Sequence, residues 1–424
     1  MSRTSIKVAL IAGTYHPQQC GVAHYTLHLR DALAQRGIDS TVLTTHVAAK
    51  VQDASVIGAV TEWRFTDLLS LVKTIHKTQA HILHIQHAAG TYGFDRTIFL
   101  LPLVLKLSGW RSPIVTTLHE YGWWEWQPRW LPADWVETLK TWGQERGWWD
   151  REDGFLLTQS NAIITTNAEA QQVVNSRLPD LVDRVQQIPI GANIAIAPIS
   201  RSQARQALRQ RCGWADDTLV FAFFGFLHPV KGLETLLLAF QQITATYPKA
   251  RLVLIGGVES LALPELQAKH YWDQLQAHIA DLKLQQVVHM TGYLDPIVVS
   301  ECLRGADIGV LPFNHGVTLK SGSLLALMAH ELPVIATCAN PPDPELAGDR
   351  LLYLIPPRNE ASLVTAMQHL AGNADLRHQL AQAGSRFSQP FTWSSIADAH
   401  QAVYHSVLTA SPLSSPFAER PLTS

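Results

Sequence analysis

Leu219–Ile243 reads LVFAFFGFLHPVKGLETLLLAFQQI, and the architecture of the chain is clearest in this stretch. It begins with an unbroken apolar run of strand length, passes through Gly225 and Gly232, and continues with leucines at helical spacing. Continuous apolar strands are typical of parallel sheets that are covered by helices on both faces. The stretch therefore predicts one strand–loop–helix unit of an α/β domain.

The same alternation continues on both sides of that stretch. Two series of apolar runs are separated by longer segments with helical spacing. The first series comprises residues 7–13, 40–46, 81–87, 112–120 and 161–167, and the second comprises 219–227, 251–257, 287–294, 307–313 and 333–338. This pattern predicts two α/β halves, each built on a parallel sheet.

The joint between the two series lies near residue 198, in the sequence Ala197-Pro198-Ile199. We therefore expect an N-terminal domain over residues 1–197 and a C-terminal domain over residues 198–390. Residues 412–424 are rich in proline and serine, and we expect them to form a frayed tail.

The composition excludes several classes of protein. The 424 residues are 47% hydrophobic and 16% charged, with a formal net charge of −2. Such a chain can bury a large core and is too apolar to be disordered. The near balance of 33 basic and 35 acidic residues gives no electrostatic reason to expect a nucleic acid partner.

The cysteines and the first residues indicate the compartment. The four cysteines are far apart and form no Cys-x-x-Cys pair, so we expect a reduced, cytoplasmic protein without a zinc knuckle. The first apolar run has strand length and predicts a β-strand instead of a signal peptide. The longest strongly apolar run, Ile98–Leu105, is far shorter than the ~20 residues that span a bilayer.

Small and polar residues follow the predicted strands, where ligands bind in open parallel sheets. They are Gly13, Gly21, His87 and His119 in the first series, and Gly225, Gly256, Gly257 and Pro312 in the second. If two such sheets face one another, these strand ends are expected to line a cleft between them.

Two loops of the second series suit a diphosphate. Lys231 lies beside a glycine just before a helix, where a lysine and exposed backbone N–H groups favour a phosphate. The polar loop 314–323 also leads into a helix, whose dipole favours an anion. Within it Gly322 permits close approach of the backbone, Ser323 could cap the helix or contact a phosphate, and Lys320 adds positive charge. An ordinary surface lysine and a plain capping loop are the alternative interpretations.

Four segments carry a resemblance to a known family. Residues 223–237, FFGFLHPVKGLETLL, are similar to the donor-site signature of family 4 glycosyltransferases, and residues 306–313 with 322–335 resemble the segment around its glutamate motif. Residues 20–26 match the loop after the first strand, and residues 391–404 look like the final helix. The resemblance spans nearly the whole chain and implies the GT-B fold, in which two Rossmann-like parallel-sheet domains face one another across a cleft.

The resemblance also implies an activity. Members of this family are retaining glycosyltransferases, so the C-terminal domain is expected to bind a nucleotide-diphosphate sugar and the N-terminal domain the acceptor. Residues 391–411 are expected to form a helix that crosses back to the N-terminal domain. The donor is a co-substrate, and no cofactor is expected.

The family's motifs assign roles to individual residues. His119 is the leading catalytic candidate, because a histidine at this strand end contacts the donor sugar or the reaction centre in family members. The positions expected to bind the donor are Gly21, Gly225, Lys231, Thr318, Lys320, Gly322 and Ser323.

The sequence departs from the family pattern at four positions. Phe226 stands where an arginine usually follows the first glycine, and Thr318 and Ala326 stand where two glutamates are common. Thr318 can still form a hydrogen bond near the donor sugar, whereas Ala326 cannot hold the nucleotide ribose. Glu331 replaces the usual glycine at a helix end. Lys320 is a candidate replacement for the charge that is missing at Phe226.

Residues 121–150 hold eight of the chain's 13 tryptophans and closely follow His119. Aromatic rings stack on sugars and sit at membrane interfaces, so this insertion suggests a glycan or glycolipid acceptor and leaves peripheral membrane contact open. The alternative is a helical hairpin with its own aromatic core. Trp123 and Trp124 are the best candidates for acceptor contact, and His87 is a candidate for either acceptor contact or loop packing.

His24 and His28 are four residues apart on a predicted helix, which is a spacing found among metal ligands. No third ligand accompanies them, and a half-exposed helix face is the simpler interpretation. The chain also contains no Asp-x-Asp string of the kind expected in metal-dependent GT-A transferases. We therefore expect no metal requirement.

Together the motifs favour a metal-independent glycosyltransferase of hexosyltransferase type, acting in cell-surface polysaccharide or glycoconjugate synthesis. The sequence does not indicate the base, the sugar, the linkage or the oligomeric state. Two alternatives stay open: a non-catalytic GT-B binding or scaffold protein, favoured by the missing glutamates, and a nucleotide-sugar epimerase. A scaffold need not bind a nucleotide, and an epimerase would consume the donor without an acceptor.

Overall fold

The computed structural model describes residues 5–16, 20–50, 53–122, 125–127, 131–258, 265–347 and 350–410. These residues form two units, each with its own parallel sheet. The first unit runs to Pro189 and resumes at Trp393, and the second comprises Ile190–Thr392. The predicted α/β class, with two Rossmann-like parallel-sheet domains of the GT-B type, is confirmed.

Seven parallel strands form the first sheet, in the order β3-β2-β1-β4-β5-β6-β7. Val8–Ala12 of β1 are all buried, which explains why this strand is a continuous apolar run. Every residue of β4 and β5 is buried as well, although both strands carry polar side chains. The strand order reverses between β1 and β4. The strands are β1 (Lys7–Ala12), β2 (Asp39–Thr45), β3 (Val56–Val60), β4 (Ile82–His87), β5 (Ile114–Leu118), β6 (Ala162–Thr165) and β7 (Val185–Gln187).

Six helices connect these strands. The amphipathic helix α2 buries Leu68, Leu71, Val72 and Ile75, which recur at helical spacing along one face. The helices are α1 (Gly21–Ala34), α2 (Leu68–Thr78), α3 (Leu101–Leu107), α4 (Ala133–Glu145), α5 (Phe155–Thr158) and α6 (Ala168–Arg177).

Six parallel strands form the second sheet, in the order β10-β9-β8-β11-β12-β13. They are β8 (Leu219–Phe224), β9 (Ala250–Ile255), β10 (Val288–Met290), β11 (Ile308–Leu311), β12 (Val334–Thr337) and β13 (Tyr353–Ile355). The helices are α7 (Arg201–Cys212), α8 (Leu233–Thr246), α9 (Glu265–Asp281), α10 (Pro296–Gly305), α11 (Gly322–Ala329), α12 (Glu360–Gly372) and α13 (Ala374–Ser388).

The last helix, α14 (Trp393–Thr409), belongs to the first unit and packs on α1. The Trp393 ring meets Tyr25 edge-on at 5.2 Å and stacks on His28 at 5.1 Å. Arg36 forms an ion pair with Asp398 at 2.6 Å. The first unit is therefore completed by residues that follow the whole second unit along the chain.

The sequence patterns miss β3, β7 and β13. All three strands lie at the edge of a sheet, and β7 and β13 are only three residues long. A short edge strand is covered along one side only, so its apolar pattern is weak. No helix in the described part of the chain is both long and apolar enough to cross a membrane.

Candidate functional site

Three neighbouring strands of the first sheet end at the same edge. β4 lies between β1 and β5, so Gly13, His87 and His119 follow or end adjacent strands. The backbone N–H of His119 donates to the His87 carbonyl at 2.9 Å and joins two of these ends. Ligands of open α/β sheets bind where the strand order reverses, as it does between β1 and β4. This edge is therefore the candidate ligand site of the first unit.

The His119 side chain is half-buried and held on two sides. Its Nε2 lies 2.9 Å from Gln86 Oε1, and its ring packs edge-on against Tyr25 at 4.7 Å. Burial lowers the pKa of His119 to about 3, and His87 and His400 lower it further. His119 is therefore a neutral imidazole at physiological pH, and it can form hydrogen bonds without carrying charge.

His87 ends β4 and is only 1% exposed. Its Nε2 lies 3.0 Å from Asp153 Oδ1, and its ring stacks on Tyr92 at 5.8 Å. Asp153 is itself buried beside Asp150, whose pKa is raised to about 6 by burial and by the Asp153 charge. These contacts favour the packing interpretation of His87 over direct contact with an acceptor.

Gly21 is the first residue of α1, and a Cβ at this position would meet no atom of the described residues within 4 Å. The preceding residue, Cys20, is the N-cap, but its side chain caps no backbone N–H. The first turn of α1 also lacks an acidic side chain. Among the described residues, the start of this helix thus has both space and backbone donors that no side chain caps, as an anionic ligand requires.

The tryptophan-rich insertion contains an aromatic cluster of its own. Trp142 meets Trp148 edge-on at 4.8 Å and lies 5.6 Å from Trp149. Gly143 lies so close to the Trp149 ring that a Cβ there would clash. For these three tryptophans the structure favours the interpretation as an aromatic core, in which Trp142 lies on α4 and Trp148 and Trp149 follow the end of that helix.

Lys140 connects α4 to the preceding part of the insertion through ion pairs. Lys140 is only 1% exposed, and its ammonium lies 3.0 Å from Glu125 and 2.5 Å from Glu137. A lysine this deeply buried requires such partners. The predicted acceptor contacts Trp123 and Trp124 lie outside the described residues.

In the second unit, glycines bring the loop after β8 against the start of α11. Gly225 has a φ of 137°, and a Cβ there would lie 2.7 Å from the Ser323 hydroxyl. Gly322 packs so closely on the Asn193 side chain that a Cβ would clash. The sequence-predicted donor residues Gly225, Gly322 and Ser323 are therefore neighbours.

Lys231 precedes Gly232, which has a φ of 69° and packs so closely on the Pro312 carbonyl that a Cβ would clash. This approach places the Lys231 ammonium 3.7 Å from the centre of the Phe313 ring. The side chain is half-buried, and burial lowers its pKa to about 8. No carboxylate among the described residues forms an ion pair with it. The site thus holds a desolvated cation for which the described part of the chain supplies no anionic partner.

The loop before α11 is ordered by its own hydrogen bonds. The Thr318 hydroxyl accepts from the Lys320 N–H at 3.3 Å, and the Leu319 N–H donates to Asp343 at 2.9 Å. The cap of α11 is Ser321, whose hydroxyl accepts from a backbone N–H at 3.3 Å, so Ser323 is not the cap. Lys320 is exposed at the surface of this loop.

The family departures have structural counterparts. Phe226 packs edge-on against Tyr293 with ring centres 6.1 Å apart, so an aromatic pair occupies the position of the usual arginine. Ala326 is fully buried inside α11. Glu331 has a φ of 59°, the left-handed conformation that a glycine adopts most easily.

Sequence reasoning missed Gln86, His84 and Tyr404, which lie around His119, and Phe313 beside Lys231. One signal was available: His84 and Gln86 are polar residues that alternate with Leu83 and Ile85 in a buried strand, and buried polar groups need partners. Nothing in the sequence connects them with Tyr404, which lies 320 residues after His84.

The described residues contain no group of three or more His, Cys, Asp or Glu side chains that could hold a metal ion. Of the two histidines at metal-ligand spacing, His28 stacks on Trp393. Burial lowers the pKa of the other, His24. We assign no metal site to this pair.

The two parallel-sheet units have the GT-B fold of glycosyltransferases. Family comparison agrees and is more specific. The family described as "Glycosyltransferase Family 4" matches residues 20–195, and the family described as "Glycosyl transferases group 1" matches residues 204–387. The chain belongs to the group 1 glycosyltransferases of family 4.

Individual relatives are more distant. Two proteins named D-inositol 3-phosphate glycosyltransferase are each 26% identical to this chain. The match to the one from Stackebrandtia nassauensis covers 277 residues, which are 62% of this chain and 59% of that protein. The match to the one from Jonesia denitrificans covers 310 residues, which are 71% of this chain and 68% of that protein. The match thus spans about 59% of the length of the first. A crystal structure of a glycosyltransferase from Rickettsia africae superposes with a TM-score of 0.71 at 12% identity, covering 96% of this chain and 100% of that one, which shows a shared fold.

Proposed function

We propose that this protein is a retaining glycosyltransferase that moves a sugar from a nucleotide-diphosphate sugar to a glycan or glycolipid acceptor. The proposal is carried by Lys231, whose ammonium is half-buried against Phe313 and has no carboxylate partner among the described residues. Desolvating a charge is unfavourable unless an opposite charge pairs with it, and here that charge would come from a ligand. The position just before α8 suits a diphosphate.

The candidate residues of each unit suit the chemistry of glycosyl transfer. The bond between the anomeric carbon and the diphosphate oxygen breaks, and negative charge grows on the departing diphosphate. The acceptor hydroxyl oxygen bonds to the same carbon, and its proton passes to the departing diphosphate. Lys231, Lys320 and the backbone donors of Gly322 and Ser323 would stabilise this charge. His119, as a neutral imidazole, would contact a sugar hydroxyl or the reaction centre. The protein would act mainly through positioning and charge stabilisation.

A thermal-shift screen against UDP, GDP, ADP, CMP and dTDP tests the donor site. A nucleotide at 100 times its dissociation constant should stabilise the protein by about 2.7 kcal/mol. We expect a shift with one nucleotide that disappears in Lys231→Ala. Lys249→Ala is the matched control, because Lys249 is an exposed lysine of the same unit that pairs with Asp217. This control should keep the full shift.

Two outcomes would replace the proposal. A chain that responds to no nucleotide would be better described as a GT-B binding or scaffold protein, consistent with Thr318 and Ala326 at the glutamate positions. Conversion of the nucleotide sugar in the absence of any acceptor would indicate an epimerase. Transfer is supported if sugar leaves the nucleotide only when an acceptor is added and the anomeric configuration is kept.

The acceptor is addressed by a panel of glycans and glycolipids. The names of the two curated relatives add D-inositol 3-phosphate to that panel. Trp123 and Trp124 are our proposed acceptor contacts, so Trp123→Ala should raise the KM for the acceptor and leave the nucleotide shift unchanged. Trp135→Ala, at a tryptophan that is 73% exposed on α4, is the control. Equal loss of donor and acceptor binding would contradict the assignment.

Finer features belong to the same proposal. We propose a hexose donor, no metal requirement, a cytoplasmic location with peripheral contact at the inner face of the membrane, and a role in cell-surface polysaccharide synthesis. Activity should then survive EDTA, and the full chain should co-float with vesicles that contain anionic lipid. Loss of activity in EDTA that Mg²⁺ restores would overturn the metal-independent mechanism.

A further inference from the structure

A buried chain of hydrogen bonds ends at His119. Gln86 Oε1 lies 2.9 Å from His119 Nε2, and Gln86 Nε2 lies 3.2 Å from His84 Nε2. His84 Nδ1 lies 2.7 Å from the hydroxyl of Tyr404. Gln86, His84 and Tyr404 are all fully buried. The chain therefore connects the end of β5 through β4 to the last helix, α14, inside the first unit.

The chemistry of the partners gives this chain a direction. An amide oxygen can only accept, so His119 carries its hydrogen on Nε2. An amide nitrogen can only donate, so His84 Nε2 accepts, and its one lone pair is shared with the Thr117 hydroxyl, whose oxygen lies 2.7 Å away. His84 then carries its hydrogen on Nδ1 and donates it to Tyr404.

Burial keeps the donors and acceptors of these hydrogen bonds unchanged across the physiological pH range. It lowers the pKa of His84 well below the ordinary value, and the nearby His400 and His119 act in the same sense. A neutral ring has one donor and one acceptor nitrogen, so its two hydrogen bonds fix its tautomer.

A second set of contacts from α14 reaches the His119 ring. His400 Nδ1 lies 2.8 Å from the Ile396 carbonyl and donates to it, so His400 Nε2 accepts from the Tyr25 hydroxyl at 3.3 Å. The Tyr25 ring in turn packs edge-on against His119 at 4.7 Å. Helix α14 thus constrains His119 both by hydrogen bonds and by packing.

We propose that Gln86, His84 and Tyr404 are positioning residues that hold His119 in the Nε2–H tautomer and in one ring orientation. The Nδ1 lone pair is then available, since no hydrogen bond to His119 Nδ1 exists among the described residues. A neutral acceptor of this kind suits a hydroxyl group of the sugar substrate. The substrate contact rests on the proposed function, whereas the tautomer does not. A side chain fixed before the substrate binds avoids reorganisation during the reaction.

Nitrogen NMR of the full chain labelled with ¹⁵N-histidine tests the tautomer directly. His119→Asn and His84→Asn identify the two sets of signals by their disappearance. We expect an Nε2-protonated His119 and an Nδ1-protonated His84 from about pH 5 to about pH 8. An Nδ1-protonated His119, or an average of both tautomers, would overturn the proposal.

Variants separate positioning from folding. Gln86→Met removes both bonds of the amide, so His119 should populate both tautomers and kcat should fall on the order of tenfold to a hundredfold with little change in the donor KM. Gln86→Glu keeps an acceptor for His119 and should retain the Nε2–H tautomer. Tyr404→Phe removes one hydroxyl and should shift the His84 signals, with a smaller loss of kcat.

The matched control is Tyr247→Phe, which removes the hydroxyl that donates to the Gln368 carbonyl in the second unit. It should leave the His84 and His119 signals and kcat unchanged. If Gln86→Met and Tyr404→Phe also leave them unchanged, the chain has no positioning role. If the wild-type chain transfers no sugar at all, the proposed function fails, while the NMR spectra still decide the tautomer.

Discussion

The Lys231 ammonium lies 3.7 Å from the centre of the Phe313 ring, and burial lowers its pKa to about 8. The cation–π contact offsets only about 0.5–2 kcal/mol of the unfavourable desolvation free energy. We expect Lys231→Met, an apolar chain of similar length, to raise the free energy of unfolding of the ligand-free protein by about 1–2 kcal/mol. Urea denaturation at neutral pH measures the free energy of unfolding of both proteins. Lys249→Met, at an exposed lysine, should stay within about 0.5 kcal/mol of wild type.

The stability difference between Lys231→Met and wild type should depend on pH, and its direction follows from the lowered pKa of Lys231. The folded chain releases the Lys231 proton near pH 8, while the unfolded chain keeps it until about pH 10.5. Between these values the unfolded state binds more protons, so wild-type stability rises with pH relative to the variant. The advantage of Lys231→Met should therefore be full below pH 8 and shrink from about pH 8 to about pH 10.5. A difference that is independent of pH would show that charge desolvation is not its cause.

The same lysine predicts a pH dependence of nucleotide binding. A diphosphate pairs with the ammonium form, so the dissociation constant should rise above pH 8 and approach a tenfold increase per pH unit. Calorimetric titration of the nucleotide identified in the thermal screen measures this. Lys231→Arg keeps its charge at every accessible pH and should bind without the alkaline loss. Parallel curves for the two proteins would exclude Lys231 from the phosphate contact.

At the end of α11, a residue with a side chain adopts a backbone conformation that favours glycine. Glu331 follows the C-cap His330 with a φ of 59°, where a Cβ is unfavourable. Glu331→Gly should therefore raise the free energy of unfolding by about 1 kcal/mol. Glu301→Gly is the control, since Glu301 lies inside α10 and its replacement should cost about 1 kcal/mol. A loss of stability in Glu331→Gly would show that contacts of the glutamate outweigh the backbone strain.

The elements also show what sequence reasoning can reach. Buried strands such as β1 and β8 are predicted because their apolar character has one dominant cause, burial on both faces. The edge strands β3, β7 and β13 are missed because packing covers them on one side only. In the tryptophan-rich insertion, the close approach of Trp149 to Gly143 separates a packed core from a sugar-binding surface, and spacing alone does not reveal it.

Across the whole molecule, the sequence predicts the two parallel-sheet units and several residues at their ligand edges. Gly225 and Lys231 are proposed as donor-site residues from the sequence because glycines and a lysine beside a helix start have few structural uses. The partners of His119 are not found, because they come together only by folding. Tyr404 reaches His84 across 320 residues of chain, and no local pattern encodes that contact. The surroundings of a site are thus harder to predict than its central residue.

The chain order of the two units predicts how they behave when they are separated. The second unit, Ile190–Thr392, is contiguous and has its own core, and a domain of this size buries roughly 70% of the surface of its unfolded chain. We expect this fragment to fold alone and to show the nucleotide shift of the full chain, with no shift in its Lys231→Ala variant.

A fragment that ends at Pro189 should behave differently, because it lacks α14. It loses the hydroxyl that His84 binds, the Trp393 ring against Tyr25 and the partner of Arg36. Burying His84 without its partner costs about 1–3 kcal/mol, and the loss of α14 also exposes apolar surface of α1. Circular dichroism and thermal melts should therefore show a fragment that is much less stable than the second unit, and addition of a peptide spanning 393–410 should restore part of its stability. A cooperative melt of the 5–189 fragment at the temperature of the full chain would contradict the structural role of α14, and with it the route by which this helix positions His119.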